Sequence, residues 1–91
     1  MMSAKSFGTI CDDWVRNNPD YAYVWNYRLD DSSFDLTVTP AKETSEEFGG
    51  RFISAKANIP NTPEITVPVV GYVLELLRTQ VDLYERYGIK A

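Results

Sequence analysis

The side chains that most often carry chemistry are scarce in this sequence, which contains no histidine and a single cysteine, Cys11. The absence of histidine removes the commonest general acid or base and the commonest zinc ligand. Cys11 shares an apolar stripe with Ile10 and Trp14, a setting in which a thiol is typically buried and inert. We therefore predict no catalytic residue, no cofactor and no metal site, and we expect that the protein is not an enzyme.

Two pairs of adjacent aspartates, Asp12-Asp13 and Asp30-Asp31, are the remaining candidates for carboxylate chemistry. Adjacent side chains on a helix or at a strand end point in different directions, so neither pair is arranged to share a proton or a cation. A further acidic patch is typical of a solvated loop, with a weak cation site or a contact for a basic protein as the alternative. This patch consists of Glu43, Glu46 and Glu47.

Length and charge narrow the functional classes further. A chain of 91 residues is expected to form a single α+β domain over residues 1–91. Its net charge of −4 argues against binding to a phosphate backbone, so nucleic acid is an unexpected partner. No stretch reaches the roughly 18–20 apolar residues of a membrane span, and no signal-peptide pattern opens the chain. We expect a small acidic protein in the cytoplasm, away from membranes.

The longest periodic segment covers residues 67–87 and predicts a helix with a wide apolar face. Pro68 suits its first turn, and Gly88 suits the position just past its end. The apolar arc covers about half of the helical surface, whereas a helix lying on a sheet usually needs a stripe nearer 100°. Residues at the rims of the arc are therefore candidates for contact with a partner. They are Tyr72, Leu76, Leu83 and Tyr87.

Gln80 falls inside the same arc, and two interpretations of it stay open. A buried amide needs hydrogen-bond partners, which a tyrosine hydroxyl of the sheet would provide. Alternatively, this part of the face packs against a second chain, where a central polar residue sets the register of two helices. The second interpretation corresponds to a homodimer through the C-terminal helix.

Ahead of this helix, the sequence predicts one short helix and three strands. Residues 4–17 carry apolar side chains at helical spacing, and Ser3 or Ser6 can cap their start. Residues 51–59 alternate in polarity and predict a third strand, with Phe52 on its outer face as another candidate contact for a partner. Residues 40–48 fit either a polar loop or a short helix.

Residues 21–29 and 34–39 alternate aromatic or aliphatic with small or polar side chains, and they predict a hairpin closed by residues 30–33. We expect Trp25 to lie opposite Val38, which places the large side chains of both strands on one face. The same register sets Arg28 opposite Asp35, a favourable pair of opposite charges.

The order helix, three strands, helix predicts an α+β fold of two layers, in which a three-stranded antiparallel meander carries both helices on one face. This order resembles the double-stranded RNA-binding domain. In that family the second helix begins with lysines that grip phosphates, whereas residues 66–70 here contain no basic side chain. The resemblance therefore concerns topology and does not extend to the RNA-binding residues.

These observations favour a small non-enzymatic domain that binds another protein non-covalently, as an inhibitor, an adaptor or an immunity-type factor. The alternative is a ligand- or nucleic-acid-binding module that uses exposed aromatics on the topology of the RNA-binding domain. The two hypotheses differ in whether the aromatic face of the first strand is free or is covered by the helices. Its aromatic residues are Tyr21, Tyr23, Trp25 and Tyr27.

Overall fold

The computed structural model describes residues 1–41 and 53–88, which form two helices and a three-stranded antiparallel sheet with strand order β1–β2–β3. Both helices contact the sheet, so the predicted two-layer α+β meander is confirmed. In chain order the elements are α1 (Ala4–Asn17), β1 (Tyr21–Arg28), β2 (Ser33–Pro40), β3 (Ala55–Pro60) and α2 (Val67–Tyr87).

Helix α1 begins and ends where its sequence supplies caps. The Ser3 hydroxyl accepts a hydrogen bond from the Ser6 backbone N–H at 3.1 Å, which satisfies one donor of the first turn. At the other end, the Asn18 side chain donates to the Trp14 carbonyl at 2.8 Å, just before Pro19 prevents continuation. The helix buries the stripe Phe7, Cys11 and Trp14, as its spacing predicts.

Helix α2 has the bounds that its sequence predicts. Pro68 lies in the first turn, and Gly88 ends the helix in the left-handed conformation with φ 65°. Within the described residues, no helix combines the length and the apolar character that a membrane span requires. The side chains that α2 buries against the rest of the fold are Val70, Leu74, Leu77 and Val81.

The hairpin of β1 and β2 forms, but the predicted register is wrong by two residues. Trp25 pairs with Leu36 and not with Val38. The connection is residues 29–32, one residue earlier than expected, so Leu29 lies in the turn with 87% of its surface exposed. Because the error is an even number of residues, every large side chain that lies within the two strands keeps its predicted face of the sheet, and Leu29 is the exception outside them.

The position of the turn follows from two serines. Ser32 adopts φ 53°, the left-handed conformation that closes the turn. Ser33 is buried, and its hydroxyl donates to Asp31 at 2.6 Å and accepts from the Asn58 amide at 2.8 Å. Asn58 belongs to β3 and is 25 positions from Ser33 in the sequence. Its hydrogen bond therefore favours the inclusion of Ser33 in strand β2.

A single hydrophobic core lies between the sheet and the helices. Phe7 of α1 stacks on Phe34 of β2 with ring centroids 4.1 Å apart, and Trp25 meets Phe7 edge to face at 5.3 Å. The third strand is shorter than predicted, and its inward side chains Ala55 and Ile59 complete the core. Most of the ambiguous segment 40–48 and the beginning of the predicted strand 51–59 lie outside the described residues.

Candidate interaction surface

One flank of α2 exposes large apolar side chains along the whole helix. The four α2 residues expected to contact a partner lie here, and Val69 extends the row toward the start of the helix. We call these five residues the apolar stripe. Their exposed fractions are 40% for Val69, 66% for Tyr72, 45% for Leu76, 44% for Leu83 and 60% for Tyr87. From Val69 to Tyr87 the stripe is about 27 Å long.

The apolar stripe lies on the side of α2 that faces away from α1. Glu75 and Asp82 on the opposite flank bond to α1 and β1, so the stripe lies on the side of α2 away from these two elements. At its beginning, Val69 borders a shallow apolar hollow formed with Ile59 and Ile65. The exposed surface therefore continues from the helix onto the end of β3.

Gln80 is exposed within the stripe, between Leu76 and Leu83 along the helix. This exposure contradicts the first of the two interpretations, a buried amide that bonds within the chain, and the second interpretation stays a prediction. The buried face is centred on Leu77 and Val81, about 90° around the helix from Gln80. A hydrophobic arc on a helical wheel gives the width of the apolar face, but only the packing of the sheet decides where its buried centre lies.

The opposite flank of α2 is joined to α1 and β1 by five polar or aromatic side chains, which we call the polar clasp. Trp14 donates its indole N–H to Glu75 Oε2 at 2.8 Å, and Arg78 pairs with Glu75 at 2.8 Å. Arg78 also contacts Asp82 at 3.3 Å, and the Tyr21 hydroxyl donates to Asp82. The hydrogen bond from Trp14, together with Arg78, lowers the pKa of Glu75. The Glu75 carboxylate therefore stays charged near neutral pH, and the polar clasp joins α2 to α1 and β1.

The other candidate reactive groups are likewise engaged in packing. Cys11 is fully buried, and burial raises the pKa of its thiol to about 12, so very little thiolate exists at neutral pH. The Tyr23 hydroxyl donates to Asp12, and this hydrogen bond raises the pKa of Tyr23 to about 12. Neither group is poised for nucleophilic or acid–base chemistry near pH 7.

The carboxylates of the hairpin turn surround one arginine. Arg28 contacts Asp30 at 3.2 Å, Asp31 at 3.6 Å and Asp35 at 4.0 Å, so the predicted attraction between Arg28 and Asp35 persists across a diagonal. The hydrogen bond from Arg28 lowers the pKa of Asp30. In the part of the chain that the structure describes, no group of three or more histidine, cysteine or acidic side chains is placed to hold a metal ion.

The aromatic face of β1 is half-buried under its neighbours. Trp25 and Tyr27 pack against Phe34 with centroid distances of 5.9 and 4.9 Å, and Tyr21 lies 6.0 Å from Trp14. A base that stacks on a protein needs a free ring face. These rings are engaged with the core, which favours the packing interpretation of the aromatic strand.

The remaining predicted contacts for a partner lie outside the described residues. These are Phe52, Glu43, Glu46 and Glu47. Within the described residues, the candidate interaction surface therefore consists of α2 and the neighbouring end of β3. Val69 was not among the predicted contacts, although its spacing of seven residues from Leu76 was the available signal.

Comparison with known proteins finds no match: no family model, no curated protein and no solved structure is similar to this chain. Its function is therefore inferred from the chemistry of its own surfaces.

Proposed function

We propose that the chain is a small non-enzymatic domain that binds another protein by non-covalent association, through the apolar stripe of α2. Inhibitors, adaptors and immunity-type factors act in this way. The observation that carries the proposal is the continuous exposure of five large apolar side chains on one flank of a helix. Contiguous patches of this kind on a soluble protein typically mark interaction sites.

The size of the stripe is adequate for this role. Its exposed side chains present on the order of 500 Å² of surface. Burying that area contributes about 12 kcal/mol of gross hydrophobic free energy at 25 cal/mol per Å². This contribution is offset by the loss of translational and rotational freedom, about 4–15 kcal/mol, and by the ordering of side chains, so the affinity depends on how well the partner surface complements the stripe.

The polar groups of the domain support a non-enzymatic role. The sequence lacks histidine, the Cys11 thiol is buried, and the Glu75 and Asp82 carboxylates bond within the polar clasp. The alternative, a module that binds nucleic acid or another ligand with exposed aromatics, has less support. The rings of β1 pack against the core, and the net charge of −4 repels phosphates.

A comparison of two double variants tests the proposal. Leu76→Glu/Leu83→Glu places two charges in the stripe, and Val24→Glu/Leu29→Glu places the same charges on exposed apolar side chains elsewhere. We expect both variants to keep the circular dichroism spectrum of the wild type. Immobilised on beads in a lysate of the source cells, only the stripe variant should lose the proteins that the wild type captures.

Two results would contradict the proposal. Equal capture of the same proteins by all three forms would show that the stripe is not the binding surface. Nucleic acid co-purifying with the wild type, detected by its absorbance and removed by nuclease, would favour the alternative module instead.

A further inference from the structure

We propose that the occupant of the apolar stripe is a second copy of this chain, with the two α2 helices packed antiparallel in a two-fold symmetric dimer. The inference rests on the proposed function and names the partner of the same surface: the protein that the immobilised wild type captures through the stripe is another molecule of this chain. It is argued from the spacing of the exposed residues, from their sizes and from the area that they offer.

The exposed flank of α2 has the spacing of a helix–helix seam. A seam between two packed helices requires side chains separated alternately by four and three residues. The row that α2 buries in its own core satisfies this rule and is already covered by the sheet and α1. A second row, displaced by one residue, satisfies it over three heptads. This row is Val69, Val73, Leu76, Gln80, Leu83 and Tyr87, of which Val73 is half-buried against the core and the other five are exposed.

The second row reads the same in both directions, because its successive spacings are 4, 3, 4, 3 and 4. An antiparallel copy of α2 therefore meets it layer for layer, and each layer combines one residue from each chain. The layers join Val69 to Tyr87 of the second copy, Val73 to Leu83 of the second copy, and Leu76 to Gln80 of the second copy.

Side-chain volumes select the antiparallel arrangement over the parallel one. A parallel pair places Val69 on its own copy at one end and Tyr87 on its own copy at the other, which leaves a gap at the first and crowding at the second. The antiparallel pair sets the small residue against the large one at both ends. Interiors packed to native density alternate large and small side chains in this way.

The apolar hollow beside Val69 supplies an independent fit. It is lined by Ile59, Pro60, Ile65 and Val69, with Thr62 and Glu64 also on its wall, next to the first turn of α2. In the antiparallel dimer, Tyr87 of the second copy arrives at this position and its ring covers the hollow. The tyrosine hydroxyl then lies at the rim, in contact with water.

Gln80 occupies the middle of the seam. In the antiparallel pair the two Gln80 side chains belong to adjacent central layers, where one amide can donate to the other. A polar residue at the centre of an otherwise apolar seam penalises every shifted alignment, so it fixes the register of the pair. The exposure of Gln80 in the isolated chain is accounted for by this role.

The area reaches the lower limit for a specific interface. Each copy offers on the order of 500 Å² of exposed side-chain surface, so complete coverage of both copies buries about 1,000 Å². Tyr72 lies beside the seam with 66% of its surface exposed, and it extends the apolar surface of each copy.

Mass measurements on the purified protein test the dimer. Light scattering and sedimentation over a range of concentrations should give about twice the 10.4 kDa of the chain. Leu76→Glu buries an unpaired charge in the seam, so it should raise the dimer dissociation constant by at least about 30-fold. The matched variant Leu29→Glu, which alters an exposed leucine in the hairpin turn, should leave the constant unchanged.

Crosslinking tests the orientation. Val69→Cys and Tyr87→Cys are prepared separately, and each is treated with a short bis-maleimide alone and after mixing with the other. The antiparallel pair predicts a crosslinked dimer only in the mixture. Crosslinks between identical variants would overturn the antiparallel arrangement. Wild-type protein, whose Cys11 is buried, is the control for background labelling.

The outcomes separate this inference from the proposed function. A wild type that stays monomeric at every concentration but captures another protein through the stripe overturns the dimer and leaves the binding function standing. A dimer that persists in the Leu76→Glu variant also overturns the inference. A monomer that Leu83→Glu destabilises would place another part of the same chain on the stripe, and this result overturns both proposals.

Discussion

The two flanks of α2 differ in a way that is unusual for a surface helix. Side chains on the flank toward α1 are polar or charged, and they form hydrogen bonds within the molecule, as Glu75 does with Trp14. Side chains on the other flank are apolar, and Leu76 and Leu83 remain nearly half exposed. Water would satisfy the polar groups at little cost, whereas the exposed apolar groups are unfavourable in water.

The contrast shows which flank of α2 is fully bonded within the isolated chain. The polar clasp holds α2 against α1 and the sheet, and its polar groups have their hydrogen-bond partners within the chain. The free energy of the system falls when another surface covers the apolar stripe. The two flanks and the buried face between them should therefore respond differently to substitution.

The largest effect is expected at the buried face, where adjacent leucines report on opposite environments. Leu77 is 2% exposed and Leu76 is 45% exposed. In urea denaturation of the monomeric Leu83→Glu background, Leu77→Ala should lower the free energy of unfolding by about 2–5 kcal/mol, because it leaves a cavity. Leu76→Ala should cost less than about 1 kcal/mol. Equal costs would show that the stripe is packed inside the chain.

A smaller effect is expected at the polar clasp. Glu75→Ala leaves the Trp14 indole N–H without its acceptor in a mostly buried position, which should cost about 1 kcal/mol of unfolding free energy. In a Trp14→Phe background the donor is absent, so the same substitution should cost clearly less. A double-mutant cycle isolates this coupling. Additive costs would mean that the bond contributes nothing to stability.

The smallest effect is the pH dependence of the same flank. The pKa of Glu75 is lowered in the folded state, first by the hydrogen bond from Trp14 and then by Arg78. Its stabilising contribution is therefore present above the ordinary glutamate pKa of about 4.3, and it is lost as the pH falls through the lowered pKa. Urea midpoints of the wild type and Glu75→Gln should converge toward acid pH. A gap that stays constant would contradict this assignment.

Much of the fold could be predicted because its signals are local. The spacing of Phe7, Cys11 and Trp14 and the caps at Ser3 and Gly88 determine where the two helices begin, end and face. Strand alternation likewise assigned the large side chains within the two strands to their correct side, and only Leu29, which lies in the turn, was misplaced. These patterns are complete within a few residues of sequence.

The errors and omissions involve contacts between distant residues. The hairpin register depends on Ser33, which bonds to Asn58 of another strand. The exposure of Gln80 depends on where the sheet meets α2. The bond between Trp14 and Glu75 joins residues 61 positions apart, and no local pattern marks it. Local periodicity does not contain this information, because packing between elements fixes it.

The polar clasp also bears on the order in which the chain folds. Its two bonds to α2, from Trp14 and from Tyr21, each close a loop of 61 residues, whereas the hairpin closes across four. Long loops close late because their entropic cost is recovered only after the intervening structure exists. We expect the clasp to be unformed in the folding transition state. In stopped-flow experiments, Glu75→Ala should therefore accelerate unfolding and leave the folding rate nearly unchanged, so that the clasp governs how long the native state persists.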